Sequence, residues 1–403
     1  MSEQTSMTSM TSMTSMTSMT SMTSMTSMAA LGNPAGIGAL AGFSGDPLLT
    51  DALIRSRARS LPDNEDVKPW EPERKGKFAK DTLPANLALH LDWWQPDVRA
   101  HVACQALHAQ LHFHASTASD APPAKVTLTQ FQLPDFPKGK DSEKLHVKWK
   151  HVLTIERPSR AVFNEQIKQV VAHARNDGRR HRAPEILTQV LPQVPYWNSV
   201  VPLSPWRNRH TFELIGIALH FAMQVCHNIK HAFAVPRPNE LSVHVQPILQ
   251  TPGWSAFPSG HATEAFMFAR LMRGLLHQST DSGVHTALQK QAKSIADNRV
   301  FAGLHYPVDS VAGQVLGETL AEYVISLCTE GTNAQKWRPR TFKSHTDELK
   351  GIDFEPLEAT MDENQGHWLV VDHATRGAHS EVLKYLWDKA RTEWNDVGFE
   401  AET

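Results

Sequence analysis

Residues 211–232 constrain this chain most: they form a long run with a helical apolar period, closed by two prolines. Leu214, Ile217, Ala218, Phe221, Val225 and Ile229 recur on one broad face, and Pro236 and Pro238 end the run. A helix with so wide an apolar face needs other elements to cover it. Residues 263–277, 286–302 and 309–327 have the same character, and the first of these starts just after Pro258-Ser259-Gly260. Helices of this kind joined by modest loops make a bundle.

Other segments read differently. Residues 5–28 are eight tandem copies of Thr-Ser-Met, a period that buries no face, and 29–45 are rich in Gly and Ala. A disordered tail and linker are expected over 1–45, and a charged, Pro-dotted surface arm over 46–80. Val98, Val102, Leu107 and Leu111 suggest a helix over 97–114. Alternation at Val126, Leu128 and Gln130 predicts a strand over 125–133, with 145–155 as its partner and 134–142 as the loop. A helix over 163–175 should end at Gly178, and one over 380–394 should pack outside the bundle. The expected organisation is therefore a tail (1–45), an N-terminal helical region with a small β hairpin (46–183), a catalytic helical bundle (184–330) and a C-terminal extension with one helix (331–403).

Composition excludes several classes. Lys and Arg number 40 against 42 Asp and Glu, a net charge of -2, which rules out a globally basic nucleic-acid binder. Cys104, Cys226 and Cys328 make neither a disulfide framework nor a zinc motif. Glu3 and the Thr/Ser/Met tract stand where a secretory signal would need basic and apolar residues. The stretch 214–226 contains His220 and is short of a membrane span, and 311–328 is interrupted by Gln314, Glu318 and Glu322. Both read as buried helices of a soluble, cytoplasmic or otherwise soluble protein. His101, His108, His112 and His114 read as solvated or core-satisfied, Arg179-Arg180-His181-Arg182 as a solvated basic turn in a loop, and Trp93-Trp94 as packing residues.

The chemistry concentrates in three short segments: Lys230 with Arg237-Pro238, then Pro258-Ser259-Gly260-His261, then Arg299, His305 and Asp309. Arg offers a planar fork for paired oxygens, and Lys a point charge. Ser259 and Gly260 stand at a helix start, where free N–H groups and the dipole favour an anion. His305 and Asp309 are four apart, so the carboxylate can hold one ring nitrogen and present the other as nucleophile or ligand. His261 is left to act as a general acid.

This pattern, Lys-x6-Arg-Pro, Pro-Ser-Gly-His and Arg-x5-His-x3-Asp, resembles the signature of the type 2 phosphatidic acid phosphatase and vanadium haloperoxidase superfamily. Asn298 departs from it, since a serine usually precedes the arginine. The resemblance covers roughly 211–328. It implies an all-α helical bundle of the acid phosphatase/vanadium haloperoxidase type, here with a small β element in the N-terminal half. In the phosphatases the matching residues imply His305 as the nucleophile forming a phosphohistidine, Asp309 as its orienter and His261 as acid then base. Lys230, Arg237, Ser259, Gly260 and Arg299 would hold the phosphate oxygens. In the haloperoxidases the same residues hold vanadate, His305 ligates vanadium, and hydrogen peroxide and halide are the substrates. His305-Tyr306-Pro307 looks more like the phosphatase branch, while Trp254 looks like the aromatic that haloperoxidases place near the halide. The preferred reading is a phosphomonoester phosphatase needing no cofactor. A vanadate-dependent haloperoxidase is the alternative, and a non-catalytic oxyanion-binding protein the second. A small anion is the expected partner in each, and a homodimer is compatible with all three.

Overall fold

The computed structural model describes residues 91–395 except 93, 116–123, 133–146, 191–192, 277–282, 352–356, 358–360 and 378, together with Asp51 and Arg55. The repeat tail, the 46–80 arm, Trp93 and the 134–142 loop fall outside the described residues, apart from those two.

In chain order the elements are α1 (Pro96–His108), β1 (Leu111–Ala115), β2 (Lys125–Gln132), β3 (Lys148–Glu156), α2 (Arg160–Arg175) and α3 (Asp177–Thr188). They continue with α4 (Val194–Asn198), α5 (Arg209–Phe233), α6 (Pro238–Leu241), α7 (Gly260–Leu275), α8 (Gly283–Phe301) and α9 (Pro307–Cys328), then β4 (Arg340–Phe342), β5 (Leu369–Val371) and α10 (Glu381–Thr392). The fold is an all-α bundle carrying a small sheet. Its centre is α9, every residue of which is buried. Such a helix must be covered on all sides, and α5, α7, α8 and α10 do this.

The closest of these packings, α7 against α9, depends on two glycines one turn apart. A Cβ at Gly317 would lie 2.3 Å from the Thr263 carbonyl oxygen, and one at Gly313 2.7 Å from the Ser259 oxygen. The backbones therefore touch where any side chain would push them apart. Three polar residues inside α9 are paired. Gln314 donates to Glu318 at 2.9 Å, and Glu322 accepts from Arg270 at 2.7 Å and from Arg340 at 2.9 Å.

The sheet has the order β1-β2-β3-β4-β5, antiparallel except for the parallel β3–β4 pair. The β2–β3 pairing agrees with the hairpin read from alternation. The sheet is larger than expected, because two short strands from the C-terminal segment complete it. The helix expected over 97–114 stops at His108, and 111–115 pairs with β2. Leu111-His112-Phe113-His114 alternates apolar and polar with period two, which is a strand signal. The basic run at 179–182 lies in α3 rather than in a loop. Asn176 caps that helix by accepting from the Gly178 N–H at 3.0 Å, so the chain bends at 176 and resumes as helix.

The reading of the α5 stretch as a buried helix meets one further fact. Arg209–Leu241, one such stretch among the described residues, is long and apolar enough by length and composition to cross a membrane, and 78% of its most apolar window is buried inside the protein.

We expect Gly317→Ala to destabilise the fold by about 1–3 kcal/mol through overpacking, read as a lower thermal midpoint. An unchanged midpoint would mean that α7 and α9 can separate freely.

Candidate active site

Each predicted site residue except Trp254, which lies in the loop between α6 and α7, stands at or beside the end of a helix, and the bundle gathers these ends at one place. Lys230 is in the last turn of α5, and Ala234 ends that helix in the left-handed region at φ 48°. The chain then runs extended to Arg237, whose N–H donates to Glu240 at 2.5 Å at the start of α6. Ser259 caps α7, which begins with Gly260 and His261. Arg299 is in the last turn of α8. Gly303, at φ 81°, reverses the chain tightly against Val245 and Pro247, so that His305 returns beside Arg299's helix and α9 can start at Pro307. The Ser259 N–H donates to the Asp309 carbonyl at 2.9 Å and ties the α7 start to the α9 start.

Lys230, Arg237, Gly260, His261, Arg299, His305 and Trp254 line one cavity of about 290 Å³, with Met223, Val190, Leu249 and Leu304 among its apolar walls. Asp309 lies behind His305 and is fully buried. Ser259 is not on the wall. Its N–H is committed to Asp309, and its hydroxyl oxygen accepts from the Ala262 N–H at 3.4 Å. The Ser259 amide, expected to face an anion, is instead donated to the Asp309 carbonyl. Gly260 remains on the wall.

Each cation is pinned by oxygens on one side. Lys230 donates to the Ser255 and Ala256 carbonyls at 2.9 and 2.8 Å. Arg237 donates to the Trp254 carbonyl at 2.9 Å through Nε, and to the Leu304 carbonyl at 2.9 Å through Nη1. Arg299 uses Nη2 for the Ile186 carbonyl at 3.0 Å and the Gln189 side chain at 3.1 Å. Its Nε and Nη1 have no partner although both are buried. A guanidinium carries five N–H bonds, so three remain unmatched. Buried unpartnered donors are costly and call for an explanation. An oxyanion in the cavity is the simplest.

His305 Nδ1 is 2.9 Å from Asp309 Oδ2, which also accepts from the Tyr306 N–H at 3.0 Å. Its Nε2 is 3.1 Å from Arg237 Nη1. A guanidinium can only donate, so Nε2 holds the lone pair and Nδ1 the proton. Burial, then Arg237 and Lys230, hold the ring well below its ordinary value and keep it neutral. His261 Nε2 faces the Gln189 carbonyl at 3.3 Å. A carbonyl only accepts, so Nε2 carries the hydrogen and Nδ1 is the nitrogen that gains or loses a proton. His261 is pushed down to about 3, by burial first and then by Arg299. Burial likewise lowers Lys230 to about 8 and Arg237 and Arg299 to about 10, and raises Asp309 to about 7. The site is short of negative charge.

Sequence reasoning missed the acceptors. The carbonyls of Ser255, Ala256, Trp254, Leu304 and Ile186 have no side-chain signature. Gln189 lies outside every motif, and only the departure at Asn298 hinted at this side of the site: Asn298 Nδ2 donates to Gln189 at 3.0 Å. The four N-terminal histidines do not converge on the cavity. His108 stacks edge-on against Phe221 at 4.8 Å and bonds Gln224, while His112 and His114 lie on β1.

Residues 214–330 match the family model of the PAP2 superfamily. No curated protein matches the sequence. Among solved structures, the crystal structure of the first bacterial vanadium-dependent iodoperoxidase is similar at 15% identity and a TM-score of 0.31. The match covers 40% of this chain, which spans 46% of that one.

Two outcomes follow from the geometry. Arg299→Ala should weaken orthovanadate binding by about 1.5–3 kcal/mol, the worth of hydrogen bonds to a charged group; unchanged affinity in a titration would mean that its free N–H groups face no anion. Binding of sulfate, which stays a dianion across the working range, should raise the depressed Lys230 value of about 8 and so take up a proton, with affinity rising as pH falls. Calorimetry in two buffers of different ionisation enthalpy reads the uptake, and identical heats would contradict it.

Proposed function

We propose that this chain, whose residues 214–330 match the PAP2 superfamily model, is a phosphatase that hydrolyses phosphomonoesters through His305. That superfamily includes phosphatases and vanadium haloperoxidases. The observation that carries the proposal is the pinning of three buried cations by carbonyl and amide oxygens, with free N–H groups left around a neutral His305 Nε2. Donors fixed in advance stabilise charge without having to reorganise during the reaction.

In this reading the phosphate oxygens lie among Lys230, Arg237, Arg299 and the Gly260 N–H. Arg237 transfers its Nη1–H from His305 Nε2 to an incoming oxygen, which frees the lone pair. His305 Nε2 then attacks phosphorus. The N–P bond forms as the ester P–O bond breaks, and Asp309 steadies the growing charge on the ring. The bound dianion raises His261, which passes its proton to the leaving alkoxide. A water then attacks the phosphohistidine and gives its proton to His261, and the N–P bond breaks to release phosphate. The apolar walls formed by Met223, Val190, Leu249 and Leu304 favour an organic leaving group over a highly charged one.

A second reading is favoured by Trp254, whose ring borders the cavity and meets His227 edge-on at 5.6 Å. Vanadate fits the same residues, because the three free N–H bonds of Arg299 suit any tetrahedral oxyanion. When bound, vanadate supplies activation of hydrogen peroxide for halide oxidation. Under that reading His305 Nε2 is its ligand, and Asp309 keeps the proton on Nδ1.

The full chain is to be assayed on a chromogenic phosphomonoester, and then with vanadate, peroxide and bromide. Phosphatase turnover inhibited by vanadate, abolished in His305→Ala with the helical spectrum intact, is the expected result. Vanadate-dependent bromination without phosphatase turnover would replace it with the second reading. Activity surviving in His305→Ala would remove His305 from the mechanism.

A further inference from the structure

The geometry points to Gln189 as a positioning residue whose side chain sets Arg299; this rests on the reading of the cavity as an oxyanion site. Gln189 stands at the C-terminal end of α3, outside the three motifs, and is fully buried. Its Oε1 accepts from Arg299 Nη2 at 3.1 Å and from Asn298 Nδ2 at 3.0 Å. An amide oxygen engaged by two donors cannot exchange places with its nitrogen, so the side chain has one orientation. The main-chain carbonyl of the same residue faces His261 Nε2 at 3.3 Å. One residue thus touches the arginine from α8 and the imidazole from α7.

The residue is itself braced. Asn298 also donates to Glu185 at 2.9 Å and accepts from Arg182 at 3.0 Å, and the Arg182 guanidinium lies 4.6 Å from the centre of the Phe301 ring. A chain of contacts, Arg182–Asn298–Gln189–Arg299, runs from α3 to the cavity. The serine usual before the arginine has a single hydroxyl, whereas the Asn298 amide serves Glu185, Gln189 and Arg182 together. The departure from the family pattern is explained by this task. Gln189 Nε2 has no partner although it is buried. The side chain is therefore not kept for its own satisfaction, and its oxygen is the useful end. Without it, Arg299 Nη2 keeps only the Ile186 carbonyl, and the guanidinium plane is free to turn.

The test is a double-mutant cycle in the full chain, read as orthovanadate affinity. Gln189→Leu, close in volume, should weaken binding about tenfold. In an Arg299→Ala background the same change should cost less than about twofold, since the group it acts through is gone. A purely structural role would lower affinity equally in both backgrounds and would overturn the inference, as would unchanged affinity in the single variant. If Gln189→Leu fails to fold, Asn298→Ala, which removes the brace and leaves Gln189 in place, is read in the same cycle with the same two outcomes. Unchanged binding in Arg299→Ala alone would overturn the oxyanion reading, and this inference with it.

Discussion

Three cationic side chains lie inside a helical bundle with one carboxylate beside them, and the rest of the structure answers to that imbalance. An ionised group taken from water costs several kcal/mol even after relaxation, and the depressed values of Lys230, Arg237 and Arg299 express that cost. Neutral oxygens offset part of it. A helix has few to give, because its carbonyls are consumed within the helix except in the last turn. The acceptors accordingly come from irregular backbone at 254–256 and 304 and from Ile186 in the last turn of α3. The loop between α6 and α7 is irregular for this reason: it turns carbonyls inward. What remains uncompensated is positive, and an anion completes the balance.

The geometry that carries this charge is maintained at a distance. α9 bears His305's partner Asp309 in its first turn and Glu322 in its fifth. Glu322 is gripped by Arg270 from α7 and Arg340 from β4, and Asp362 lies 3.6 Å from Arg270 and 3.5 Å from Arg340. The C-terminal strands thus pair with the N-terminal sheet and also plug an arginine into the central helix. Breaking one partner of a buried pair costs more than the pair contributes, because a charge is left stranded. This fixes the axial position of α9 and, through the Ser259–Asp309 backbone bond, the start of α7.

Much of this was legible in the sequence where a side chain's identity carries the function. The bundle followed from period and prolines, since a face as broad as that of α5 admits few alternatives. The candidate site was read from Lys230, Arg237, His261, Arg299 and His305, which line one cavity, and from Asp309 behind His305. The strand at 111–115 was misread because Leu111 also fits a helical stripe continued from Val98. The basic run in α3 was misread because Gly178 signals a stop equally well as a first turn. Backbone acceptors cannot be read from residue types, and Gln189 is one polar residue among many until Arg299 is seen against it. The two short C-terminal strands were missed because three residues are too few to show a period.

The two proposed readings ask one thing of the cavity residues, a tetrahedral centre facing an unprotonated ring nitrogen. What separates them is the fate of the bond at His305 Nε2. A phosphatase must break it in every cycle, so the ring has to leave as readily as it attacks. Asp309 governs this. An ionised carboxylate at Nδ1 stabilises the cationic, phosphorylated ring, while a neutral one does not. Burial raises Asp309 above the ordinary carboxylate range, so the support it gives the ring depends on its ionisation. The ring is thus held as a neutral nucleophile and is not locked as a permanent cation. Arg237 acts in the same direction: an N–H already 3.1 Å from Nε2 is placed to take the lone pair back when the bond breaks. A permanent ligand gains nothing from such a competitor, whereas a nucleophile that must be regenerated does, and this is the physical ground on which we propose phosphoryl transfer.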